Sequence, residues 1–452
     1  MVDRRRMHLA FAALTAFVIP WIHGLATSFV YDAAQYWNGA ATLVSGGDVI
    51  TAGALATRGV YTPIVHLLPA LAAAPFGPSA APTVVLIWNS VLVSLAAVLL
   101  IPRFSGALAG GDVAAPSVPR IWVSAIIGSA VLSGFARFPL VDLASTLLAL
   151  AALYGFFVAT RWRAAILTGL CAAVSINLRP AIAPAIVLAA VVIVFVRVRP
   201  TLLAAVGALV ALIPQLIFNV AAWGQWSVVP RETGPLSAVQ ARWAPFALRY
   251  DTVLSAERAP QQWYCDSSYA RALSADASAQ NQFDVIRSLV QHFPGSLWFL
   301  VRKVSINLHW STGTPYEPTP GAGELVVALG VVALAAFGIA SILCLLPIRT
   351  TRDRRVHVLA TVAFWVGAVA TLAISTPETR FALPVVAVGV VGVVTLVPEG
   401  EASRNWRRRV IASLIVGAAL AACVAISGAE GLTHALPPGG LRDAQECAAA
   451  GR

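Results

Sequence analysis

Thr83 to Ile101 reads TVVLIWNSVLVSLAAVLLI, a run without a single charge that is closed by Pro102 and Arg103. Wound as an α-helix it would be about 28 Å long, close to the ~30 Å thickness of a bilayer's hydrocarbon core. In lipid the backbone N–H and C=O groups have only each other to bond, so helix is the geometry open to such a run. Runs of like character, about 17 to 25 residues each, recur roughly at 9-29, 83-101, 121-136, 141-160, 164-178, 181-196, 201-222, 323-347, 356-374, 381-397 and 410-428. The expected fold class is all-α integral membrane, with about eleven transmembrane helices.

Composition agrees with this. The 452 residues are 58% hydrophobic and 11% charged, with a mean hydropathy of +0.79, which excludes an ordinary soluble domain and a disordered chain. The net charge of +11 would suit a nucleic-acid binder, but the arginines stand between apolar runs. With the N-terminus in the cytoplasm, the cytoplasmic segments hold Arg4 to Arg6, Arg103, Arg120, Arg161, Arg163, Arg197, Arg199, Arg349, Arg352, Arg354, Arg355, Arg404 and Arg407 to Arg409. The short loops on the other side hold Arg58, Arg137, Arg179 and Arg380, one apiece. That asymmetry is the positive-inside pattern, so the basic excess expresses topology and no nucleic-acid partner is expected. MVDRRRMH followed by Leu9 to Val30 has the outline of a signal peptide. Its apolar part is long and no small-residue cleavage site closes it, so it reads as a retained first span. A chain rich in Ala and Arg with almost no Lys points to a GC-rich bacterial genome, hence to a multi-pass protein of the bacterial inner (plasma) membrane.

The spans divide the chain into an N-terminal membrane module (1-222) with a first extracytoplasmic loop (31-82), a long extracytoplasmic loop (223-322), C-terminal membrane helices (323-428) and an extracytoplasmic tail (429-452). In YDAAQYWNGAATLVSGGD, from Tyr31 to Asp48, the residues Ala33, Tyr36, Trp37, Ala40, Leu43 and Val44 recur at helical spacing before Gly46 and Gly47. This predicts an amphipathic helix on the membrane surface. A second is predicted over Pro63 to Ala74. In the long loop, Asn281 to Val304 has helical periodicity on both sides of Pro294, and its many tryptophans are expected as interfacial anchors. Cys265 and Cys447 fall in extracytoplasmic segments, where a disulfide is open to them, although nothing in the sequence brings them together.

The informative charges lie at the outer mouth, where burial in lipid would cost several kcal/mol. They are Asp32, Arg58, His66, Arg137, Asp142, Arg179, Glu378 and Arg380. Singly, an Asp at a helix start complements the macrodipole, an Arg at a span end snorkels to headgroups, and a His such as His66 is more often a polar residue than a ligand. Together, cations and carboxylates on one face suit an anionic, lipid-linked substrate: guanidiniums for phosphate and a carboxylate for proton transfer.

Several of these stretches resemble the GT-C glycosyltransferases, multi-span enzymes that take sugar from a polyprenyl-phosphate carrier and include protein O-mannosyltransferases and lipid A aminoarabinose transferases. The similarity lies in Asp32 after the first span with its following helix, in RGVYTP from Arg58 to Pro63, and in FARFPLVD ending at Asp142. It extends to NLRP at Asn177 to Pro180, WGQWSVVP at Trp223 to Pro230, and PETRFALP at Pro377 to Pro384. The resemblance implies transfer to an envelope acceptor hydroxyl (glycan, lipid or protein) with inversion. Asp32 would be the general base. Arg179 and Arg380 would bind the carrier phosphate, with Arg58 and Arg137 behind them, His66 as a further substrate contact, and Asp142 orienting the acceptor or an Arg. Many members follow the first-loop Asp with Glu where this chain has Ala33, and the loop near Pro63 lacks an acidic residue. No firm metal site is implied, and a divalent ion would be loosely held. A transporter or flippase for an anionic lipid or solute would instead carry ionisable residues midway along its spans, which this sequence hardly does. A noncatalytic envelope-assembly protein is the third reading.

Overall fold

A computed structural model describes residues 4–55, 59–110, 115–230, 241–252, 261–273, 281–310, 315–316, 322–346, 352–399, 406–436 and 444–450. Arg58, expected among the phosphate ligands, lies outside these residues. Two compact units emerge. The first comprises Met1–Arg231, Gly338–Gly367 and Ala387–Leu414; the second comprises Glu232–Phe337, Ala368–Val386 and Ile415–Arg452.

The first unit begins with α1 (Arg4–Val18), extended by a 3-10 turn to His23. The apolar run 9-29 therefore stays helical only to His23, where Pro20 and then Gly24, at φ 71°, turn the chain. The predicted surface helix is α2 (Tyr31–Val44). Its buried face of Ala33, Tyr36, Gly39 and Ala40 rests largely on protein, because α2 packs against α3 (Val49–Leu55), α4 (Tyr61–Val65) and α5 (Leu67–Ala73). The second predicted helix is split into α4 and α5 at His66. Pro69 supplies the reason: it has no N–H for the carbonyl of Val65, and its ring would clash there. After α6 (Ala81–Leu95) the same cylinder continues through a π turn at Ala96–Leu100 into α7 (Ile101–Ala109). Then follow α8 (Val118–Leu132), α9 (Val141–Val158), α10 (Trp162–Leu178), α11 (Ala183–Val194) and α12 (Val198–Trp223).

Among the described residues, seven helices are long and apolar enough to cross a membrane: Pro78–Ala109, Val118–Arg137, Val141–Val158, Val198–Trp223, Gly323–Leu343, Arg352–Ile374 and Trp406–Leu432. The runs expected at 164-178, 181-196 and 381-397 are helical but shorter, as Trp162–Leu178, Pro180–Val194 and Thr379–Val394. This is the architecture of a predominantly helical, multi-pass membrane protein.

Lipid gives apolar side chains no reason to prefer a neighbouring helix, so close backbone contact has to hold the bundle. α10 packs most intimately on α12. A Cβ at Gly169 would stand 1.7 Å from the carbonyl oxygen of Ala204, and one at Gly207 would stand 2.1 Å from that of Ile166. The Gly323–Leu343 and Thr379–Val394 helices meet likewise, Gly338 against Gly389 and Gly392.

The second unit holds a small core of its own. β1 (Ala247–Thr252) pairs antiparallel with β2 (Gln261–Cys265), and helices at Ser267–Leu273, Gln282–Gln291 and Gly295–Leu308 pack about them. The break expected at Pro294 is present. Not every tryptophan is the interfacial anchor expected. Trp263 is buried, stacked on Tyr250 at 5.0 Å and edge-on to Trp243 at 4.4 Å, whereas Trp226 and Trp298 are exposed. Cys265 and Cys447 form a disulfide with a Cα–Cα distance of 6.1 Å. The tail lies beside β2, with the Cys265 N–H donating to His434 O at 3.2 Å and the Leu436 N–H to Trp263 O at 2.8 Å.

Candidate functional site

Asp142 and Arg179 meet. Leu140 is extended, so α9 starts at Val141 and puts Asp142 in its first turn, where the helix dipole favours a carboxylate. Arg179 ends α10 in an extended conformation, and its Nη1 donates to Asp142 Oδ1 in an ion pair that is buried on both sides. One turn below, α9 and α10 are clamped reciprocally. Ser145 Oγ donates to Ser175 O at 3.0 Å, and Ser175 Oγ to Ser145 O at 2.7 Å. Two ions out of water are tolerated only when well paired, so this clamp is what lets the pair persist.

The polar character extends to neighbouring side chains. Asn177 donates through Nδ2 to Ala173 O at 3.0 Å, while its buried Oδ1 has no hydrogen-bond partner among the described residues. α4 packs on both α9 and α10, and two further buried groups in the same state, Thr62 Oγ1 within it and His66 Nε2 at its C-terminal cap, lie here. These are one helical turn apart. The chain leading into α4 is fixed from α12: the Val60 N–H donates to Gln215 Oε1 at 3.1 Å, and Gly59, at φ 89°, lies so close that a Cβ would fall 2.3 Å from that oxygen. Asp32, half-buried in the first turn of α2, belongs to the helix that covers α4 and α5. Unpartnered buried polar atoms are uncommon and mark places where water or ligand completes the bonding.

His66 lies outside the spans, and burial lowers its pKa from 6.5 to about 4. The unfolded chain takes a proton near pH 6.5 that the folded chain refuses until about pH 4, so the contribution is whole above pH 6.5 and is lost as pH falls through that window. It amounts to about 3 kcal/mol. The difference in unfolding free energy between wild type and His66→Gln should therefore change by about that much between pH 7 and pH 4. A difference constant across that range refutes the assignment.

Beside these groups runs an apolar groove of about 640 Å³, walled by Ile64 and Leu68, by Trp88, Leu92 and Leu99, and by Leu147 with its α9 neighbours. Its lining runs along α9 from Ala144 to Tyr154 and along the α6–α7 cylinder from Trp88 to Arg103, past the π turn.

The remaining expected residues are placed differently. Arg137 is buried and committed to main chain, donating through Nε to Gly24 O at 3.1 Å and through Nη2 to Leu25 O at 2.9 Å, which ties the end of the first helical segment to α8. Arg380 belongs to the second unit, ion-paired with Glu378 and hydrogen-bonded to Tyr316 Oη at 3.1 Å. Around it Thr379 Oγ1 donates to Asp251 Oδ1 at 3.3 Å, and Asp251 pairs with Arg249 at 2.6 Å. The cavity at this cluster, about 20 Å³, is large enough for one water and too small for a sugar.

Sequence reasoning missed Thr62 and the Arg249–Asp251 pair that lies beside the expected Glu378 and Arg380. Thr62 is legible only once His66 is known to follow it by one turn in a helix. Asp251 stood in a long loop with nothing to pair it to position 378. Among the described residues no three His, Cys, Asp or Glu side chains form a group that could hold a metal. Asp142, ion-paired with Arg179, is not part of such a group. No family model, curated protein or solved structure matches the chain.

Proposed function

We propose that the chain is a membrane glycosyltransferase that moves a sugar from a polyprenyl-phosphate carrier to an acceptor hydroxyl of the cell envelope, at the extracytoplasmic face of a bacterial plasma membrane. The N-terminus is cytoplasmic, and eleven helices cross if the short ones do. The Cys265–Cys447 disulfide supports that orientation, since such bonds persist in oxidising compartments.

One observation carries the reading: α9 bears in its first turn a buried carboxylate, Asp142, ion-paired with Arg179, and from Ala144 onward it forms a wall of an apolar groove, the two characters of a lipid phosphate with its hydrocarbon chain. Arg179 receives the phosphate, held in orientation by Asp142, and stabilises charge growing on the leaving oxygen. The groove receives the first isoprene units. Asp32 takes the proton of the acceptor hydroxyl; that oxygen attacks the anomeric carbon from the face opposite the phosphate, the carbon–oxygen bond to phosphate breaks, and configuration inverts. His66, neutral at working pH, offers a hydrogen bond to the sugar. Ionisable groups gather at the mouth, which favours an enzyme over a transporter with a midplane site.

Asp32→Asn preserves size and removes the proton acceptor. It should lower transfer by about 10²- to 10⁴-fold at unchanged protein level. The measure is mass spectrometry of envelope glycolipids and glycans in cells carrying either form. Undiminished modification would sink the base assignment. An envelope unaltered by deletion of the whole gene would sink the transferase reading in favour of transport or assembly.

A further inference from the structure

A second cavity, of about 490 Å³, opens at the other end of α10, where Thr160, Arg161, Trp162 and Arg163 face Arg199 at the start of α12. Its volume is that of a small-ligand site. The glycine contacts between α10 and α12 hold the two helix starts side by side, so two positive dipole ends converge with three guanidiniums. Neither helix has an acidic residue in its first turn, and neither start is capped by a side chain. No carboxylate lines the cavity, and none of the three arginines is ion-paired among the described residues. Arg197, next to them, is by contrast committed: it donates to the carbonyls of Phe156 at 2.7 Å and Ala159 at 2.8 Å, and also to that of Phe157, closing the end of α9. Positive charge is thus concentrated in a concavity whose described lining carries no carboxylate.

The rim says which anion. Trp162, Val198 and Leu202 are 57%, 54% and 60% exposed beside the pocket, and large apolar side chains bared at the end of membrane helices face lipid. We propose that this pocket binds the phosphate headgroup of an anionic membrane lipid, gripped by Arg161, Arg163 and Arg199, with its acyl chains lying along Val198 and Leu202. The site is remote in the fold from the Asp142–Arg179 pair, which closes the opposite ends of α9 and α10, and it stands whether or not the chain is a transferase.

The test uses the purified full-length protein, stripped of lipid in neutral detergent, with native mass spectrometry and thermal stability as readouts. The probes are phosphatidylglycerol, phosphatidylcholine and inorganic phosphate. Phosphatidylglycerol should bind and stabilise while phosphatidylcholine does neither, and Arg161→Gln/Arg163→Gln/Arg199→Gln should weaken phosphatidylglycerol binding about tenfold or more. Arg352→Gln/Arg407→Gln/Arg408→Gln removes equal charge from exposed helix starts elsewhere and should leave binding unchanged. Should the first triple variant fail to fold, single Arg→Lys replacements at the same positions keep the charge; each should weaken binding through loss of the bidentate grip. Equal binding by wild type and pocket variants, or equal loss in the control, overturns the proposal. Protection by inorganic phosphate matching that by phosphatidylglycerol overturns the lipid assignment and leaves a soluble phosphate ester as the ligand.

Discussion

Asp142→Ala should destabilise the first unit by about 3–5 kcal/mol, because it leaves the Arg179 guanidinium buried without its counter-ion. The size follows from the asymmetry of buried pairs: making one gains little over an apolar pair, and breaking one exposes the full desolvation cost of the survivor. Replacing both partners, as Asp142→Leu with Arg179→Met, should therefore recover most of the stability that the single change loses. Unfolding in a bilayer mimetic followed by a fluorescence probe measures both. A single-variant loss below about 1 kcal/mol would mean that water reaches the pair freely, as it does for surface salt bridges, and the electrostatic basis of the site would go with it.

The second large effect is expected in the other unit. Cys447→Ser removes a cross-link between positions 182 residues apart, and chain-entropy reasoning puts its value at up to about 5 kcal/mol. The tail keeps its main-chain bonds to β2 and its contacts in the shared core, so the loss is expected to be local, as opening of the tail more than as unfolding of the helices. Two measurements read this. Cys265, buried and disulfide-bonded in wild type, becomes a thiol in the variant and should react there with a membrane-impermeant maleimide, and protease should cleave the tail at least tenfold faster, since each 1.4 kcal/mol of opening energy is a factor of about ten. A Cys265 that stays unreactive would show that the apolar core holds the tail without the bridge.

The sequence was readable where one physical demand dominates. The runs behind the seven long helices could be recognised because lipid leaves a polar backbone no other geometry, and α2 ended near Gly46 as its periodicity required. Where two demands compete, reading failed. Pro69 broke a helix that hydrophobic spacing alone would continue, and the tryptophans of residues 223-322, amphipathic enough for an interface, partly went into a core that only the hairpin and the tail together create. For the site, Asp142 and Arg179 were legible as charges out of place, 37 residues apart, but their pairing needed the packing of α9 on α10. Thr62 and Asn177 carry no charge and no motif strong enough to single them out. What identifies them is a missing partner, which only three-dimensional structure can reveal.

The close helix contacts have a further consequence, for kinship. Positions 169, 207, 338, 367 and 392 are held small by geometry: a Cβ at Gly367 would meet the Cα of Ala185 at 2.5 Å, and one at Gly392 would meet the oxygen of Gly338 at 2.1 Å. Side chains facing hydrocarbon can drift among Leu, Val and Ile with little penalty, whereas these sites tolerate almost nothing. A cousin too diverged for ordinary comparison would keep that spaced set of small residues after its loops had become unrecognisable, and the set is the fingerprint by which to search for one.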